Sequence, residues 1–320
     1  MKPHRETDMT LGPILEWLPS ETAPSTRPAW VVSGDFILPD GNRIYIPDQR
    51  TARAGWGRIG STHIVDPVAR PLPAAMAVTW FSLSEQQSYS AQVELPFDRL
   101  VAMFTTPLNN PLDDTDAAPD RLIVGFAPGG DVMVWAAGIT GTVEVGLWQA
   151  EPTRLSMDEI IGEGDITPEA LAEMLLKESL TDDEREALAR AGPQPGLWRA
   201  RAQRFIWAPE IVAATGRAFR LEALNGEIEW LPAAPAPAPR AAPERMRLYW
   251  HSTIGALVAE LVFDPTESLT AFQKFTQDLP DRPLRLLLEP ADADGGVEAV
   301  LTDGTLAYRF EGLSVAVYRA

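Results

Sequence analysis

Met76-Ala77-Val78-Thr79-Trp80-Phe81-Ser82 and Met246-Arg247-Leu248-Tyr249-Trp250-His251-Ser252 stand 170 residues apart and share Met, Trp and Ser at matching positions. Each reads as a strand, because β-branched and aromatic residues recur at period two. The surroundings correspond as well. A Pro/Ala segment precedes each strand, and a hairpin precedes that segment. The first hairpin runs from Asp35-Phe36-Ile37-Leu38 through Asp40-Gly41 to Arg43-Ile44-Tyr45-Ile46; the second runs from Ala218-Phe219-Arg220-Leu221 through Asn225-Gly226 to Ile228-Glu229-Trp230-Leu231. Asp-Gly and Asn-Gly supply the positive φ angles of a tight hairpin turn. Downstream, Pro96, Leu100 and Ala102 answer to Pro265, Leu269 and Ala271. Gly129-Gly130, Val134 and Gly138 answer to Gly295-Gly296, Val300 and Gly304. Each match is weak alone, but their shared order points to two copies of one unit. Ordinary strand-and-helix patterning met twice is the alternative.

This reading divides the 320 residues into an irregular lead-in (1–27), a first β-rich unit (28–154), a helical acidic segment (155–203) and a second β-rich unit (204–320). Residues 48–75 read as loop. Pro96 opens a helix with Leu100, Val101 and Phe104 on one face. Around 155 the period changes. Ser156-x-x-Glu159 and Thr181-x-x-Glu184 fit capping boxes, and Thr167-Pro168 places proline at a first helical position. Leu171, Met174 and Leu175 share one helical face, and Gly192-Pro193 stops the last helix. The run from Pro232 to Pro239 favours an extended polyproline conformation, as part of a Pro/Ala-rich loop over 232–244. The expected fold class is α+β: two related β-rich lobes, each a mainly antiparallel sheet with one helix, joined by the helical segment.

Composition narrows the function. Hydrophobic residues make up 45% and charged residues 22%, with 10 Trp and 11 Phe, enough to bury a core without staples. There is no cysteine, which removes disulfides, thiolate metal sites and cysteine nucleophiles. The formal charge of −18 repels phosphate backbones and anionic lipid, so neither nucleic acid nor a membrane is expected as partner. A basic protein partner fits that field. Met1 to Asp8 has no apolar run behind its basic residues and no stretch approaches a membrane span, so the expected location is cytoplasmic.

Several spaced blocks carry a family resemblance: Gly55-Trp56-Gly57; Thr79-Trp80-Phe81-Ser82-Leu83; Gln87-Ser88-Tyr89-Ser90-Ala91; Glu94-Leu95-Pro96; Val143-Glu144-Val145. The clearest block runs from Val124-Gly125-Phe126 through Pro128-Gly129-Gly130-Asp131 to Trp135-Ala136-Ala137-Gly138. Over residues 50–155 the chain resembles bacterial proteins of unknown function, many of them lipoproteins encoded near type VI secretion effectors. The resemblance implies an accessory or immunity role that binds a toxin, and carries over no catalytic residue. This chain departs from the lipoprotein pattern in lacking a lipidation cysteine.

Candidate chemistry is sparse. His4, His63 and His251 have no metal-ligand spacing. His251 and Ser252 are neighbours on a strand and so face opposite ways, which argues against a nucleophile–base pair. Pro128-Gly129-Gly130-Asp131 lacks the lysine and following helix of a phosphate loop and reads as a turn. Trp56, Trp80, Trp135 and Trp148 read as core or as the wall of a ligand groove. Trp56, between two glycines in a loop, is either an anchor or a contact residue. Asp113-Asp114 and Asp182-Asp183 read as solvated or helix-capping carboxylates. Residues 155–190 hold eleven acids and three bases, a net −8, so Asp182, Asp183 and Glu186 form a candidate partner surface beside Trp56. No catalytic residue, metal or cofactor is expected. The function expected is a non-enzymatic, protein-binding module, with a secreted toxin or secretion component as candidate partner. The alternative is a hydrolase whose carboxylates the sequence does not identify.

Overall fold

Alternation along residues 75–82 buries Met76, Val78 and Trp80 on one face of a strand, and the fold is assembled around that strand. The computed structural model describes residues 12–64, 66–112, 116–162, 164–212, 214–252, 255–279, 281–290 and 296–319. His4, Asp113, Asp114 and Gly295 lie outside the described residues.

The first half contains β1 (Ile14–Glu16), β2 (Leu18–Thr22), β3 (Ala29–Ile37), β4 (Arg43–Tyr45), β5 (Arg50–Ala52), β6 (Ala69–Pro71), β7 (Ala75–Ser82) and β8 (Gln87–Glu94). Helix α1 (Phe97–Thr105) follows, then β9 (Arg121–Phe126), β10 (Asp131–Ala137), β11 (Thr142–Gln149) and β12 (Glu151–Thr153). Four helices come next: α2 (Met157–Ile161), α3 (Pro168–Ser179), α4 (Asp182–Ala191) and α5 (Leu197–Arg201). The second half contains β13 (Arg204–Ile211), β14 (Thr215–Ala223), β15 (Ile228–Pro232), β16 (Ala238–Ala241), β17 (Pro243–Ser252) and β18 (Gly255–Val262). It ends with α6 (Pro265–Thr276), β19 (Leu284–Pro290), β20 (Val297–Thr302), β21 (Ala307–Arg309) and β22 (Ser314–Arg319).

Three large sheets result. One has the order β12-β8-β7-β3-β4, with β5 also on β3; the next runs β2-β9-β10-β11-β15-β14-β17-β18-β22; the last runs β16-β13-β19-β20-β21. Strands β1 and β6 form a separate ribbon. In the first half β4-β3-β7-β8-β12 faces β2-β9-β10-β11 across one core that includes Trp17, Phe36, Trp80 and Phe126. In the second half β15-β14-β17-β18-β22 and β16-β13-β19-β20-β21 enclose another core, around Phe205, Trp207, Phe219 and Phe272. Each half also has a strand near its start running parallel to the strand after its helix: β2 on β9, and β13 on β19.

Several expectations need correction. Each half has two sheet layers rather than one sheet, because its strands are apolar enough to need covering. The halves meet edge to edge in the nine-stranded sheet, through Thr142 opposite Ile228, and are not joined through the helical segment alone. Arg204 seals this seam, with its guanidinium 3.3 Å from Glu144 and 2.8 Å from Glu227, while Asn225 Nδ2 donates to both carboxylates. The 1–27 lead-in contains β1 and the wholly buried β2, with Trp17 in the core. The 48–75 loop contains β5 and β6, and the Pro/Ala-rich loop closes as β16, which pairs with β13.

The helical segment packs where period two predicts a second face. Trp80 points into the first core while Phe81, with Val32 and Leu83, receives Met157, Ile160 and Leu171. Trp30 Nε1 donates to the Ile160 carbonyl at 3.0 Å. Both capping boxes form, at Ser156 and Thr181, and Thr167 caps α3. Leu171 and Leu175 are buried, but Met174 is exposed, so the apolar stripe of α3 is narrower than expected. Among the described residues, no helix is long and apolar enough to cross a membrane.

Candidate functional site

Gly55-Trp56-Gly57 folds onto the Asn225-Gly226 hairpin turn of the second half, and the glycines of the two turns explain why. Gly57 has φ +71°, and a Cβ there would clash with the Gly226 carbonyl oxygen. The loop is also tied to the first half, where Thr22 Oγ1 donates to the Gly55 carbonyl at 2.6 Å. The Trp56 ring meets Trp135 edge-on at 4.8 Å and Trp198 of α5 at 6.1 Å. Gly125 leaves the space, since a Cβ there would collide with both the Trp56 and Trp135 rings. Trp135 Nε1 donates to the Asn225 carbonyl, with Asn225 fully buried. Trp56 is therefore both an anchor between the halves and a wall residue.

The wall belongs to a cleft of about 800 Å³ between the halves. Trp56 and Arg58 come from the loop, Trp198 and Arg201 from α5, Glu222 from β14 and Glu244 from β17; Leu224 and Phe263 add apolar surface. Glu222, 6% exposed, is ion-paired to both Arg58 and Arg220. Burial by itself would raise its carboxyl, but the two guanidiniums outweigh burial and hold it below its ordinary value. Glu244 goes the other way. Burial pushes it up, and the charges of Arg201 and Arg58 only partly offset that. Arg201 lies over the Trp198 ring at 5.4 Å, and burial lowers its proton affinity. The Nε1 atoms of Trp56 and Trp198 are buried and have no acceptor among the described residues.

Of the four residues of the candidate partner surface, Trp56 lines the cleft and the three acids of α4 do not. Asp182, Asp183 and Glu186 are exposed on α4, where Asp182 pairs with Arg185, while Trp56 lies in the cleft. Trp80 and Trp135 are core, and Trp148 packs against the first core. Gly129-Gly130 makes a turn in which Gly129 N–H donates to both Glu85 oxygens. His63 stands edge-on to Tyr45, His251 is exposed, and Ser252 Oγ donates to the Gly255 carbonyl. Among the described residues, no group of three His, Asp or Glu is placed to hold a metal.

Sequence reasoning missed Arg58, Trp198, Arg201, Glu222 and Glu244. One signal was legible: Trp198-Arg199-Ala200-Arg201 puts an aromatic and a base one helical turn apart, after a glycine.

A family model described as "Protein of unknown function (DUF2931)" matches residues 2–191. That is more than half of the 320 residues, and the chain belongs to this family. The match is wider than the 50–155 expected and takes in the helices α2 to α4, whereas α5 and the second half lie beyond it. No curated protein and no solved structure matches the chain.

Proposed function

Because the DUF2931 family to which the chain belongs carries no assigned function, we infer one from the cleft: the protein is a non-enzymatic binding module that takes a protein partner between its halves. The observation that carries this reading is that Trp56 and Trp198, both lining the cleft, have buried indole N–H groups with no acceptor among the described residues, a state that Trp80 in the first core shares without lining the cleft. Buried donors are paired in the great majority of proteins, and leaving one open costs about 1–3 kcal/mol. A partner that supplies acceptors recovers that cost on binding. The acidic face of α4 steers a basic partner toward the molecule. A secreted toxin, or a component of a bacterial secretion system, is a partner of this kind, which would make the protein an immunity or accessory protein.

The same inference includes the origin of the cleft. The matching orders β4-β3-β7-β8-β12 and β15-β14-β17-β18-β22, with the parallel pairs β2–β9 and β13–β19, support a duplicated unit. The duplicated halves then form two lobes, and the cleft lies at their seam.

The test is affinity capture from the native host with wild type and with a Trp56→Ala/Arg201→Gln bait of unchanged circular dichroism. A partner held by wild type and lost from the variant is the expected result; equal retention would place binding elsewhere. The second reading, a carboxylate hydrolase, is favoured by Glu222 and Glu244, two carboxyls in one cleft driven in opposite directions. Hydrolysis abolished by Glu244→Gln would replace the binding reading with that one.

A further inference from the structure

We propose that the cleft is built for a carboxylate attached to an apolar group, with Arg201 as its charge partner and the indole N–H groups of Trp56 and Trp198 as neutral donors. This rests on the binding reading above and names the chemistry that would be bound.

The donors are the first part of the case. Trp198 is 2% exposed, lines the cleft, and its Nε1 has no acceptor among the described residues. Trp56 Nε1 is in the same condition on the facing loop. An indole N–H can only donate, and among the described residues none accepts from either ring, so an acceptor bound in the cleft would satisfy both. The charge is the second part. Of the arginines that line the cleft, Arg58 is paired with Glu222 and Arg245 with Glu260. Arg201 has neither a hydrogen bond nor an ion pair through its guanidinium among the described residues; it rests on the Trp198 ring, and Glu244 and Asp264 act on it only through space. A half-buried guanidinium without a contacting anion is costly, and the like charge of Arg27 nearby adds to that cost.

The remaining walls select among anions. Glu222 and Glu244 share the cleft, so a dianionic phosphate would meet two carboxyls, whereas a singly charged planar group meets less repulsion. A carboxylate also matches the guanidinium fork and has lone pairs left for the indoles. Leu224, Phe263 and the Trp56 face provide the apolar contact beside it. The C-terminal or side-chain carboxylate of a partner protein, and a free hydrophobic acid, share this chemistry.

The experiment is a titration of the full-length protein, labelled with ¹⁵N at tryptophan. The indole resonances of residues 56 and 198 are assigned through Trp56→Phe and Trp198→Phe. N-acetyl-phenylalanine is the carboxylate probe, its primary amide is the neutral control, and a peptide ending in the same residue represents the protein source. The two indole N–H signals should move saturably with the acid and not with the amide. Arg201→Gln should weaken the response roughly tenfold or more, and Arg201→Lys should restore part of it. The other indole signals report whether each variant is folded. Tighter binding of the peptide than of the free acid would assign the site to a protein terminus, and the reverse would assign it to a small molecule. Static signals, an equal response to the amide, or an Arg201→Gln titration matching wild type would overturn the proposal. If the acid fails while affinity capture still depends on Trp56 and Arg201, the carboxylate assignment falls and the binding reading stands. If capture is also indifferent to those residues, both fall.

Discussion

Glu244 shows how one residue reports on its surroundings. Burial raises its proton affinity above the ordinary value of 4.5, with Arg201 only partly compensating. A carboxyl that holds its proton more tightly folded than unfolded contributes stability that is full below its unfolded value. That contribution is lost as pH rises through the folded value. Glu222 follows the opposite course: Arg58 and Arg220 depress it, so its contribution is present above its unfolded value and is lost as pH falls. Glu244→Gln removes the cost of ionisation. It should therefore raise the urea midpoint at pH 7 relative to wild type, with the difference closing as pH approaches 4.5. A difference that stays constant across that range would show that Glu244 is solvated like an ordinary surface acid. Neither residue was legible in the sequence. A single acid at an alternating strand position looks the same whether it faces water or an arginine on another segment. Trp56 was legible, because a large aromatic between two glycines in a loop requires an explanation. Its packing beside the Asn225-Gly226 turn, with Gly226 169 positions beyond Gly57, was not.

At the scale of elements, local chemistry was readable and distant packing was not. The capping boxes at Ser156 and Thr181, the Pro96 helix start and the Asn225-Gly226 turn all depend on neighbours a few residues apart, and all formed. Strands β1, β2 and β16 were read as lead-in or loop because proline-rich sequence hides a strand whose pairing comes from far away. The acidic face of α4 was legible as charge, and its exposure agrees with that reading. Its proposed role is steering, which is screened beyond roughly 8 Å at physiological salt. Neutralising Asp182→Asn, Asp183→Asn and Glu186→Gln should slow association with the captured partner more than it speeds dissociation, with wild type losing the advantage as salt rises. Stability should change little beyond the loss of the helix-start stabilisation that Asp182 and Asp183 supply in the first turn of α4, since the affected side chains are at the surface. Association rates unaffected by mutation and by salt would leave this face a solubilising one.

For the whole molecule, the repeated Met-Trp-Ser strands predicted related units, but not how they meet. The seam rests on Thr142 opposite Ile228, the Arg204–Glu144–Glu227 cluster and the contact of Gly57 with Gly226. Each joins residues of one half of the chain to residues of the other, so patterning within each half could not reveal them. The cleft follows from that arrangement: a first-half loop, the α5 connection and two second-half strands converge on it. Hydrogen–deuterium exchange of the protein with and without its captured partner tests most directly whether the cleft is where the protein binds. Binding there predicts slowed exchange at residues 54–58, 198–201, 222–224 and 244–245, with the outer helices α3 and α4 changed little. Protection confined to α4 or to the far sheet β16-β13-β19-β20-β21, with the cleft segments exchanging as in the free protein, would contradict it.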